Sequence, residues 1–470
     1  MNIIPRPFEV KETGGICEYR GYEYELNPSL SEEEYILCVK NGNARAVCGS
    51  AKAEYYARLT LEQIKKGGKV PDCEIHDKPR FQHRGFMIDS ARHYQELDEI
   101  KKFIKAMSEL KMNIFHWHLS EDQGWRIESE THPELNSAAV RKYSDFGKTM
   151  SDKPYGIYYT KDEIRDVVEY AAQHFIDVIP EFDIPGHTSA FLSVFPEATC
   201  DGKKVEVKTH QGIFEDVICP AKEASARLVK DVFDELCELF PYGVYHLGGD
   251  EVKHAHWENC PDCKRKMQEL GITSYNDYEN YFLSLISDYL KTNGKKCIVW
   301  NDAVKGKGLD KDNMIVQYWL EKGNKTAEYA NGGGKIILSP FTYYYLDYDY
   351  DITSLRKVLS FKPEIKGLDD TGRENVLGVE APLWTEFIDN NERLEELAFP
   401  RIIAVACTAW QEEGFTYDEF LSNASDIIEK FKSDGFSFRS KEHWGYPKAH
   451  TLLGWIRFGR TFYNENLINL

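Results

Sequence analysis

Residues 85–119 read GFMIDSARHYQELDEIKKFIKAMSELKMNIFHWHL. Two short apolar runs, Gly85–Asp89 and Asn113–Leu119, enclose a longer stretch, Leu97–Lys111, in which apolar residues recur at helical spacing. Short runs rich in Ile, Phe and Trp are typical of buried strands, and the stretch between them is typical of a helix that covers a sheet. This segment therefore predicts a strand, a helix and a second, parallel strand.

The same alternation continues along the chain. Further helix-like stretches lie at Lys161–His174, Ala221–Leu239, Tyr275–Thr292 and Arg393–Ala406. Eight strand–helix alternations are what a closed (β/α)8 barrel requires, and a doubly wound sheet is the alternative. We predict an α/β fold with a TIM barrel over residues 77–434. Its eight strand-like runs are Gly85–Asp89, Asn113–Leu119, Asp177–Phe182, Val244–Leu247, Cys297–Trp300, Ile315–Trp319, Lys335–Leu338 and Val376–Val379.

The two ends of the chain have a different pattern. In residues 1–76, β-like runs at Tyr35–Val39 and Ala46–Val47 precede a helix-like stretch at Ala51–Lys65. These features predict a small N-terminal α+β domain. Residues 435–470 form a C-terminal extension whose role stays open: it could pack under the barrel, rim a cleft or form a dimer contact.

Composition and charge exclude several classes of protein. The 58 Lys and Arg against 77 Asp and Glu give a net charge of −19, which disfavours nucleic acid and anionic membranes as partners. The longest apolar stretches, such as Ile402–Trp410, fall short of the roughly 20 residues that span a bilayer. The first residues, MNIIPRPFEV, do not resemble a signal peptide, and the 11 cysteines are scattered, so we expect reduced thiols and a cytoplasmic location.

Polar side chains stand at the ends of nearly all the predicted strands. In a TIM barrel the active site lies at the C-terminal ends of the strands, so these side chains are expected to meet. Polar residues at one strand end could simply be solvated loop residues. This alternative is less suitable when most of the eight strand ends carry them. The residues are Asp89–His93, His118–Asp122, Glu181–His187, His246–Glu251, Trp300–Asp302, Trp319, Tyr345–Asp347 and Glu380–Glu386.

The stretch YHLGGDEV, residues 245–252, places two adjacent carboxylates after a strand and two glycines. Successive side chains of a strand point in opposite directions, so Asp250 and Glu251 are expected to have different roles. In glycoside cleavage one carboxyl group protonates the leaving oxygen, and ordinary retaining enzymes hold a second one about 5 Å away as nucleophile. Adjacent carboxylates fit better with substrate assistance, in which a 2-acetamido group attacks the anomeric carbon and the second carboxylate orients the amide.

Five motifs resemble those of the family-20 glycoside hydrolases, the β-N-acetylhexosaminidases. The resemblance covers residues 4–410 and includes an Ile-Pro-x-Pro segment at Ile4–Pro7, which opens the N-terminal domain of many members. It implies the TIM barrel and the small preceding domain. The motifs are RGFMIDSARHY (Arg84–Tyr94), NIFHWHLSEDQGWRIE (Asn113–Glu128), PEFDIPGHTSAF (Pro180–Phe191), HLGGDE (His246–Glu251) and GVEAPLWTE (Gly378–Glu386).

The resemblance implies roles for three catalytic residues. Glu251 resembles the general acid and base, whose pKa must be raised for proton donation. Asp250 resembles the carboxylate that binds the acetamido N–H and stabilises the oxazolinium intermediate. Tyr345 resembles the phenol that holds the acetamido oxygen in line with the anomeric carbon.

Further residues are implied to bind the sugar or support the catalytic groups. Arg92 resembles the arginine that binds the 3- and 4-hydroxyls. His187, with Asp183 as its expected partner, resembles the histidine beside the acid and base residue. Glu121 departs from the family, since many members carry two aspartates where this chain has Glu121 and Asp122, which puts its supporting role in doubt. The other implied binding residues are Trp300, Trp319 and Trp384, which form an aromatic box, and Asp347 and Glu386, which accept from the 4- and 6-hydroxyls.

A weak candidate for a metal site follows the catalytic motif. His254, His256, Cys260 and Cys263 supply the ligand types that zinc prefers. A single CxxC pair without a distant second pair is weak evidence, and two unligated cysteines at a helix start are the alternative. We therefore expect no metal and no cofactor.

These features predict a retaining exo-β-N-acetylhexosaminidase that removes terminal β-linked N-acetylglucosamine or N-acetylgalactosamine. Its partners would be oligosaccharides with a non-reducing-end N-acetylhexosamine, and a homodimer is plausible from the resemblance. The alternatives are a disaccharide-releasing member of the family and a non-catalytic glycan-binding barrel. Intact Asp250, Glu251 and Tyr345 disfavour the binding protein, which needs no proton donor.

Overall fold

A computed structural model of the chain describes residues 1–138, 140–144, 149–155, 157–447 and 450–458. The strands are β1 (Glu9–Glu18), β2 (Gly21–Leu26), β3 (Tyr35–Lys40), β4 (Asn43–Cys48), β5 (Lys69–Asp77), β6 (His83–Asp89), β7 (Ile114–His118), β8 (Ser120–Glu121), β9 (Gly124–Trp125), β10 (Val140–Ser144), β11 (Thr149–Tyr155), β12 (Asp177–Glu181), β13 (Val244–His246), β14 (Lys296–Trp300), β15 (Met314–Tyr318), β16 (Ile336–Leu338) and β17 (Val376–Leu383).

The helices cover the barrel strands and fill the connections. They are α1 (Ala51–Ile64), α2 (Leu97–Glu109), α3 (Lys161–Gln173), α4 (Ser189–Leu192), α5 (Glu223–Leu239), α6 (Ala255–Asn259), α7 (Pro261–Leu270), α8 (Tyr275–Thr292), α9 (Lys325–Asn331), α10 (Phe341–Tyr344), α11 (Leu355–Leu359), α12 (Asp370–Glu374), α13 (Asn391–Ala398), α14 (Arg401–Trp410), α15 (Tyr417–Asn423), α16 (Ser425–Ser433) and α17 (Lys441–Trp444). Short 3₁₀ helices lie at Pro133–Ser137, Pro196–Ala198 and Asn301–Lys305.

The predicted (β/α)8 barrel is confirmed. Eight parallel strands, β6, β7 and β12 to β17, follow one another in chain order, and β17 pairs with β6 to close the barrel. Each predicted strand overlaps an observed one, and β17 extends beyond its predicted end to Leu383. All eight strands therefore present their C-terminal ends on one face, where the polar residues of the sequence analysis collect.

The interior of the barrel is packed in layers. Ile114, Ile179, Ile298 and Ile337 form an apolar cluster toward the N-terminal ends of the strands. Because this interior is filled by side chains, it is not a channel, and ligands can enter only from the C-terminal face. The layer above the isoleucines is polar and fully buried, and it contains His116, Glu181, His246, Gln317 and Glu380.

One predicted helix differs from the structure, and one connection of the barrel has no α-helix. The stretch Arg393–Ala406 is two helices, α13 and α14, because Pro400 lies between them and a proline cannot donate the backbone hydrogen bond that a continuous helix needs. Between β14 and β15 only the 3₁₀ helix Asn301–Lys305 is present. Within the described part of the chain, no helix has both the length and the apolar character needed to cross a bilayer.

The N-terminal residues form a five-stranded sheet with the order β1, β5, β3, β4, β2, and α1 packs on β3 and β4. The pattern predicted β3, β4 and α1 but not β1, β2 or β5. Nearly all positions of β1 are exposed and several are charged, so this strand lacks the apolar alternation that indicates a strand. At this edge of the sheet, β1 is held by backbone pairing with β5.

A buried ion pair joins this sheet to the barrel. Lys111, directly after α2, extends its ammonium group to 2.7 Å from an Asp77 carboxylate oxygen. The same ammonium group donates to the Tyr35 and Thr60 hydroxyls, each at 2.9 Å. Trp410, from the last barrel helix, donates its indole N–H to Asp77 at 2.9 Å. Lys111 and Asp77 are fully buried, so neither charge has water as an alternative partner.

We predict that Lys111→Met lowers the free energy of unfolding by about 3 kcal/mol or more, since it leaves the Asp77 carboxylate buried without its cation. Methionine keeps most of the side-chain volume. The control is Lys66→Met, which removes an exposed ion pair with Asp426 and is expected to cost about 1 kcal/mol or less. Urea denaturation of both variants measures the difference, and equal costs would contradict a structural role for the buried pair.

Candidate active site

A glycine turn after β13 brings Asp250 and Glu251 to the mouth of the barrel. Gly248 and Gly249 have φ of 67° and 85°, in the left-handed region that glycine tolerates. A Cβ atom on Gly248 would lie 1.7 Å from an Asp183 carboxylate oxygen, so no other residue fits there. Glu251 itself has φ of 52°, a conformation that costs energy in a residue with a side chain and that is concentrated at functional sites.

His187, in the loop after β12, lies between two pairs of carboxylates. Its Nδ1 is 2.9 Å from Glu121 Oε1 and 3.4 Å from Asp122 Oδ2. Its Nε2 is 3.6 Å from Glu251 Oε2 and 3.9 Å from Asp250 Oδ2. Burial lowers the pKa of His187, but the Glu121 charge and the other carboxylates outweigh burial and hold this pKa well above its usual value. The imidazole is therefore charged at neutral pH.

Asp183, the expected partner of His187, lies within 4.8 Å of an imidazole nitrogen, but Glu121 is the nearer carboxylate, at 2.9 Å. Asp183 lies under the glycine turn and accepts the Gly249 N–H at 3.0 Å. Burial and the nearby Asp250 carboxylate raise the pKa of Asp183 well above its usual value. Its observed contacts therefore support the turn and Asp250.

Glu121 connects His187 to Arg92. The carboxylate oxygen that faces His187 also accepts from Arg92 Nη2 at 2.6 Å. Arg92 Nη1 donates to Asp89 at 3.1 Å, and the guanidinium group lies 5.2 Å from the centre of the Trp384 ring. Glu121 thus reaches both cations in spite of its departure from the family pattern.

The two adjacent carboxyl groups have opposite pKa shifts. Burial, with the charges of Glu251 and Asp302, raises the pKa of Asp250 to about 7, although His187 opposes this shift. Burial also acts to raise the pKa of Glu251, but hydrogen bonding and charge from His187 and charge from Arg92 outweigh it, so this pKa lies below its usual value. The raised pKa that the sequence analysis expected for Glu251 is thus found on its neighbour.

Aromatic rings form one wall of the site. Tyr345 is stacked with Trp319 at a ring distance of 6.2 Å and lies 6.3 Å from Trp384. Asp302, in the 3₁₀ helix after β14, accepts the Trp319 indole N–H at 2.7 Å and so fixes its orientation. Trp300 is fully buried beneath this wall, 5.9 Å from Trp384, and therefore supports the box from behind. Burial and the Asp250 charge raise the pKa of Tyr345, which keeps the phenol protonated.

Unpaired acceptors and donors point to a polar ligand. Asp347 and Glu386 lie on the same side of the site as Arg92, and Glu386 Oε1 is 3.8 Å from Arg92 Nη2. Burial and the Glu386 charge raise the pKa of Asp347. Among the described residues, Arg92 Nε, Asp250 Oδ1 and Asp347 Oδ1 are buried without a hydrogen-bond partner. Buried polar atoms are normally paired, so these atoms indicate the positions of ligand groups.

The predicted residues surround one cavity of about 570 Å³. Ten of the predicted residues line it, whereas Trp300, Asp183 and Asp302 support it from beneath. The lining predicted residues are Arg92, Glu121, His187, Asp250, Glu251, Trp319, Tyr345 and Asp347, together with Trp384 and Glu386 at the rim.

Several lining residues have no signal in the sequence. Residues 210–214 also line the cavity, on a long connection between β12 and α5 that has no periodic pattern. Phe458, in the C-terminal extension, also lines the cavity, and its ring lies 5.3 Å from that of Tyr348. The extension therefore reaches the rim of the site, which is one of the three places that the sequence left open.

The four residues of the weak metal candidate do not form one group in the structure. The His254 ring is stacked on Trp257 at 5.2 Å, and its Nε2 lies 3.4 Å from Glu279. His254 and His256 belong to no group of metal-ligand atoms in the described chain, whereas Cys260 and Cys263 belong to one with two other cysteines. The histidines are wrong because a short sequence spacing does not fix which direction side chains take after a turn.

Comparison with known proteins gives one consistent result. The family model described as glycosyl hydrolase family 20, catalytic domain, matches residues 81–413. A beta-hexosaminidase of Porphyromonas gingivalis is 33% identical over 423 residues, which are 85% of this chain and 53% of that protein. A beta-hexosaminidase of Vibrio furnissii is also 33% identical, over 81% of this chain and 66% of that protein. The chain thus spans less than two thirds of these two relatives.

Other relatives match over most of both chains. A beta-hexosaminidase of Akkermansia muciniphila is 31% identical over 87% of this chain and 86% of that protein. The crystal structure of an exo beta-N-acetylglucosaminidase from Vibrio harveyi, in complex with N-acetylglucosamine, has a TM-score of 0.84 at 27% identity and covers 94% of this chain and 79% of that one. From the barrel, the site at its C-terminal face and the match over residues 81–413, we conclude that the chain belongs to glycosyl hydrolase family 20.

Proposed function

We propose that this protein is a retaining exo-β-N-acetylhexosaminidase that uses substrate assistance and an oxazolinium intermediate. One observation carries the proposal: adjacent carboxyl groups with opposite pKa shifts, Asp250 and Glu251, face one cavity with an aromatic wall. The names of the relatives support the substrate class.

The rim would hold the sugar. Arg92 offers donors for the 3- and 4-hydroxyls, and the unpaired Asp347 oxygen and Glu386 are acceptors for the 4- and 6-hydroxyls. The acetamido methyl group would lie between Trp319 and Trp384. With these contacts, one terminal sugar residue would occupy the cavity, which supports the proposal of exo action.

The first chemical step would break the glycosidic bond with help from the substrate. The Tyr345 phenol donates to the acetamido carbonyl, and that oxygen attacks the anomeric carbon. Asp250 accepts the acetamido N–H and stabilises the positive charge that develops on the ring. Glu251 gives its proton to the leaving oxygen, so the leaving group departs as an alcohol.

The second step would restore the acetamido group. Glu251, now a carboxylate, takes a proton from water, and the water oxygen attacks the anomeric carbon as the oxazolinium ring opens. Two displacements at one carbon retain the β configuration. His187 lies 3.6 Å from Glu251 and supplies positive charge beside it throughout.

Hydrolysis of aryl β-glycosides tests the proposal directly. We expect cleavage of N-acetylglucosaminide, N-acetylgalactosaminide or both, no cleavage of the plain glucoside, and inhibition by a thiazoline that mimics the oxazolinium ion. Equal cleavage of the plain glucoside would contradict substrate assistance. Binding of the thiazoline with no hydrolysis of any substrate would instead favour a glycan-binding protein or a longer obligatory substrate.

Two substitutions separate the roles of the adjacent carboxyl groups. We expect Glu251→Gln to lower kcat about 10²–10⁴-fold on a natural disaccharide and much less on an activated aryl glycoside, because a good leaving group needs little protonation. Asp250→Asn should lower kcat about 10²–10³-fold on both substrates, because the intermediate forms in either case. Equal losses of Glu251→Gln on the two substrates would argue against its role as the acid.

The pH profile depends on the charge of Asp302. The reactive pair of Asp250 and Glu251 carries one proton, so kcat/KM for an unactivated glycoside should fall above the upper apparent pKa of the pair, which lies near the value of about 7 for Asp250. Asp302 raises that pKa, so Asp302→Asn should move the alkaline limb to lower pH, by roughly one unit or less.

Asparagine keeps an oxygen that can accept from Trp319, so the aromatic wall is preserved. The control is Asp310→Asn, which removes the same charge from an exposed ion pair with Lys291 and should leave the limb in place. A limb that stays fixed in Asp302→Asn, or moves to higher pH, would contradict this assignment.

The cytoplasmic location and the homodimer stay predictions. All 11 cysteines are free thiols, which supports a reducing compartment.

A further inference from the structure

Four cysteine thiols from three parts of the chain converge outside the active-site cavity. Cys200 follows the 3₁₀ helix Pro196–Ala198, Cys219 precedes α5, and Cys260 and Cys263 lie at the start of α7. We name these four residues the cysteine cluster. All four Sγ atoms lie within 4.8 Å of one another. Cys263 Sγ is 3.4 Å from Cys219 Sγ and 3.9 Å from Cys200 Sγ.

These distances fit sulfur atoms around a metal ion. Four Sγ atoms at about 2.3 Å from a tetrahedral zinc ion lie about 3.8 Å from one another. A disulfide needs about 2.05 Å, and the four residues are free thiols. The separations therefore match a shared central ion better than two covalent bonds.

The surroundings of the cluster also suit a closed site. Cys219 and Cys263 have no exposed surface, Cys260 is 4% exposed, and Val217 and Trp257 pack around them. Cys260 caps α7 and Cys263 lies in its first turn, where the partial positive charge of the helix stabilises thiolates. Four thiolate ligands without an open position are the arrangement of structural zinc sites.

We propose that the cysteine cluster binds one zinc ion as a closed structural site. Cysteine thiols replace the two histidines that the sequence suggested as partners of Cys260 and Cys263. The site lies apart from the catalytic groups and takes no part in the reaction proposed above.

The zinc ion would hold both ends of the loop that forms one wall of the cavity. Cys200 and Cys219 enclose residues 201–218, and residues 210–214 of this loop line the cavity. The loop also has direct contacts with the barrel. Lys208 N–H donates to Asp122 O, Gln123 donates to His210 O and Ile218 N–H donates to Pro185 O, each at 2.9 Å, and Val205 and Ile218 belong to the apolar core of the barrel. Joining the ends of a loop restricts its conformations, so the ion would order this wall.

The same ion would connect the loop to the catalytic turn. Cys260 and Cys263 follow Glu251 closely in sequence, and Val252 packs against the apolar residues around the cluster. A displacement of the cluster would therefore also displace Glu251, because only a short segment of chain separates Glu251 from Cys260.

Metal analysis of the whole chain tests the proposal. The protein is expressed without a metal-binding tag in medium that contains zinc, purified without chelators, and measured by inductively coupled plasma mass spectrometry. We expect about one zinc ion per chain. Cys219→Ser and Cys263→Ser should each lose it, and Cys38→Ser, which changes an exposed cysteine outside the cluster, should keep it.

A second measurement uses only wild-type protein, so it tests the proposal even when the cysteine variants do not fold. Wild-type protein is treated with a mercurial, which displaces zinc from thiolates, and the released ion is titrated with a chromogenic chelator. Cobalt exchanged into the wild-type chain should then give the visible absorption of a tetrahedral tetrathiolate site. Protein without bound metal in which all 11 thiols react, or in which Cys200 and Cys219 form a disulfide, would overturn the proposal.

Limited trypsin digestion tests the effect on the loop and needs no enzymatic activity. Lys203 and Lys204 are exposed within residues 201–218. Metal-depleted protein should be cut there several-fold faster than zinc-loaded protein, and adding zinc back under reducing conditions should restore resistance. Equal cleavage rates would show that the ion, if bound, does not anchor the loop.

Discussion

The upper part of the barrel is arranged around one buried carboxylate, Glu181. It has no contact with solvent, yet His118 and His116 approach it, and Trp300 donates its indole N–H to it at 2.9 Å. Burial alone would raise the pKa of Glu181, but the surrounding histidines hold it well below its usual value. An unpaired charge in this place would cost several kcal/mol, so each partner has little freedom to turn. Trp300 is one of these partners and lies beneath the aromatic wall of the cavity. The pairing of Glu181 therefore also fixes the position of this wall.

A second buried carboxylate, Glu380, extends this network across the barrel to the strands that close it. Its oxygens accept from His116 and His83, each at 2.8 Å, and from Gln317 at 2.7 Å. Gly85 leaves the necessary space, since a Cβ atom there would lie 2.4 Å from Glu380. The charges of both glutamates raise the pKa of His116 to about 9 in spite of its burial, so a cation lies between the two anions. The floor of the cavity is thus a neutralised ion network, which is rigid because every charge needs its partner.

Much of the fold could be predicted because the alternation of strands and helices is a local property of the sequence. The eight barrel strands and the residues at their ends carry such patterns, and Asp250 and Glu251 follow directly from theirs. Contacts between distant segments carry no comparable signal: Cys200 is 60 residues from its neighbour Cys260. For the same reason His187 was assigned to Asp183, near in sequence, whereas Glu121 from another strand end lies beside it. The polar strand β1 was missed because its stability comes from pairing with β5.

In the protein without substrate, the pKa of Asp250 is raised and that of Glu251 is lowered, whereas the proposed reaction needs the proton on Glu251. Binding can reverse this preference by ordinary electrostatics. An acetamido N–H that donates to Asp250 stabilises its ionised form and lowers its pKa. A sugar that displaces water from Glu251, whose side chain is 29% exposed, raises that pKa. In the proposed mechanism, the group that recognises the substrate would also prepare the acid, because proton transfer between the two carboxyl groups would be linked to binding of the acetamido sugar. A sugar without the acetamido group would leave the proton on Asp250 and, in this mechanism, would not react.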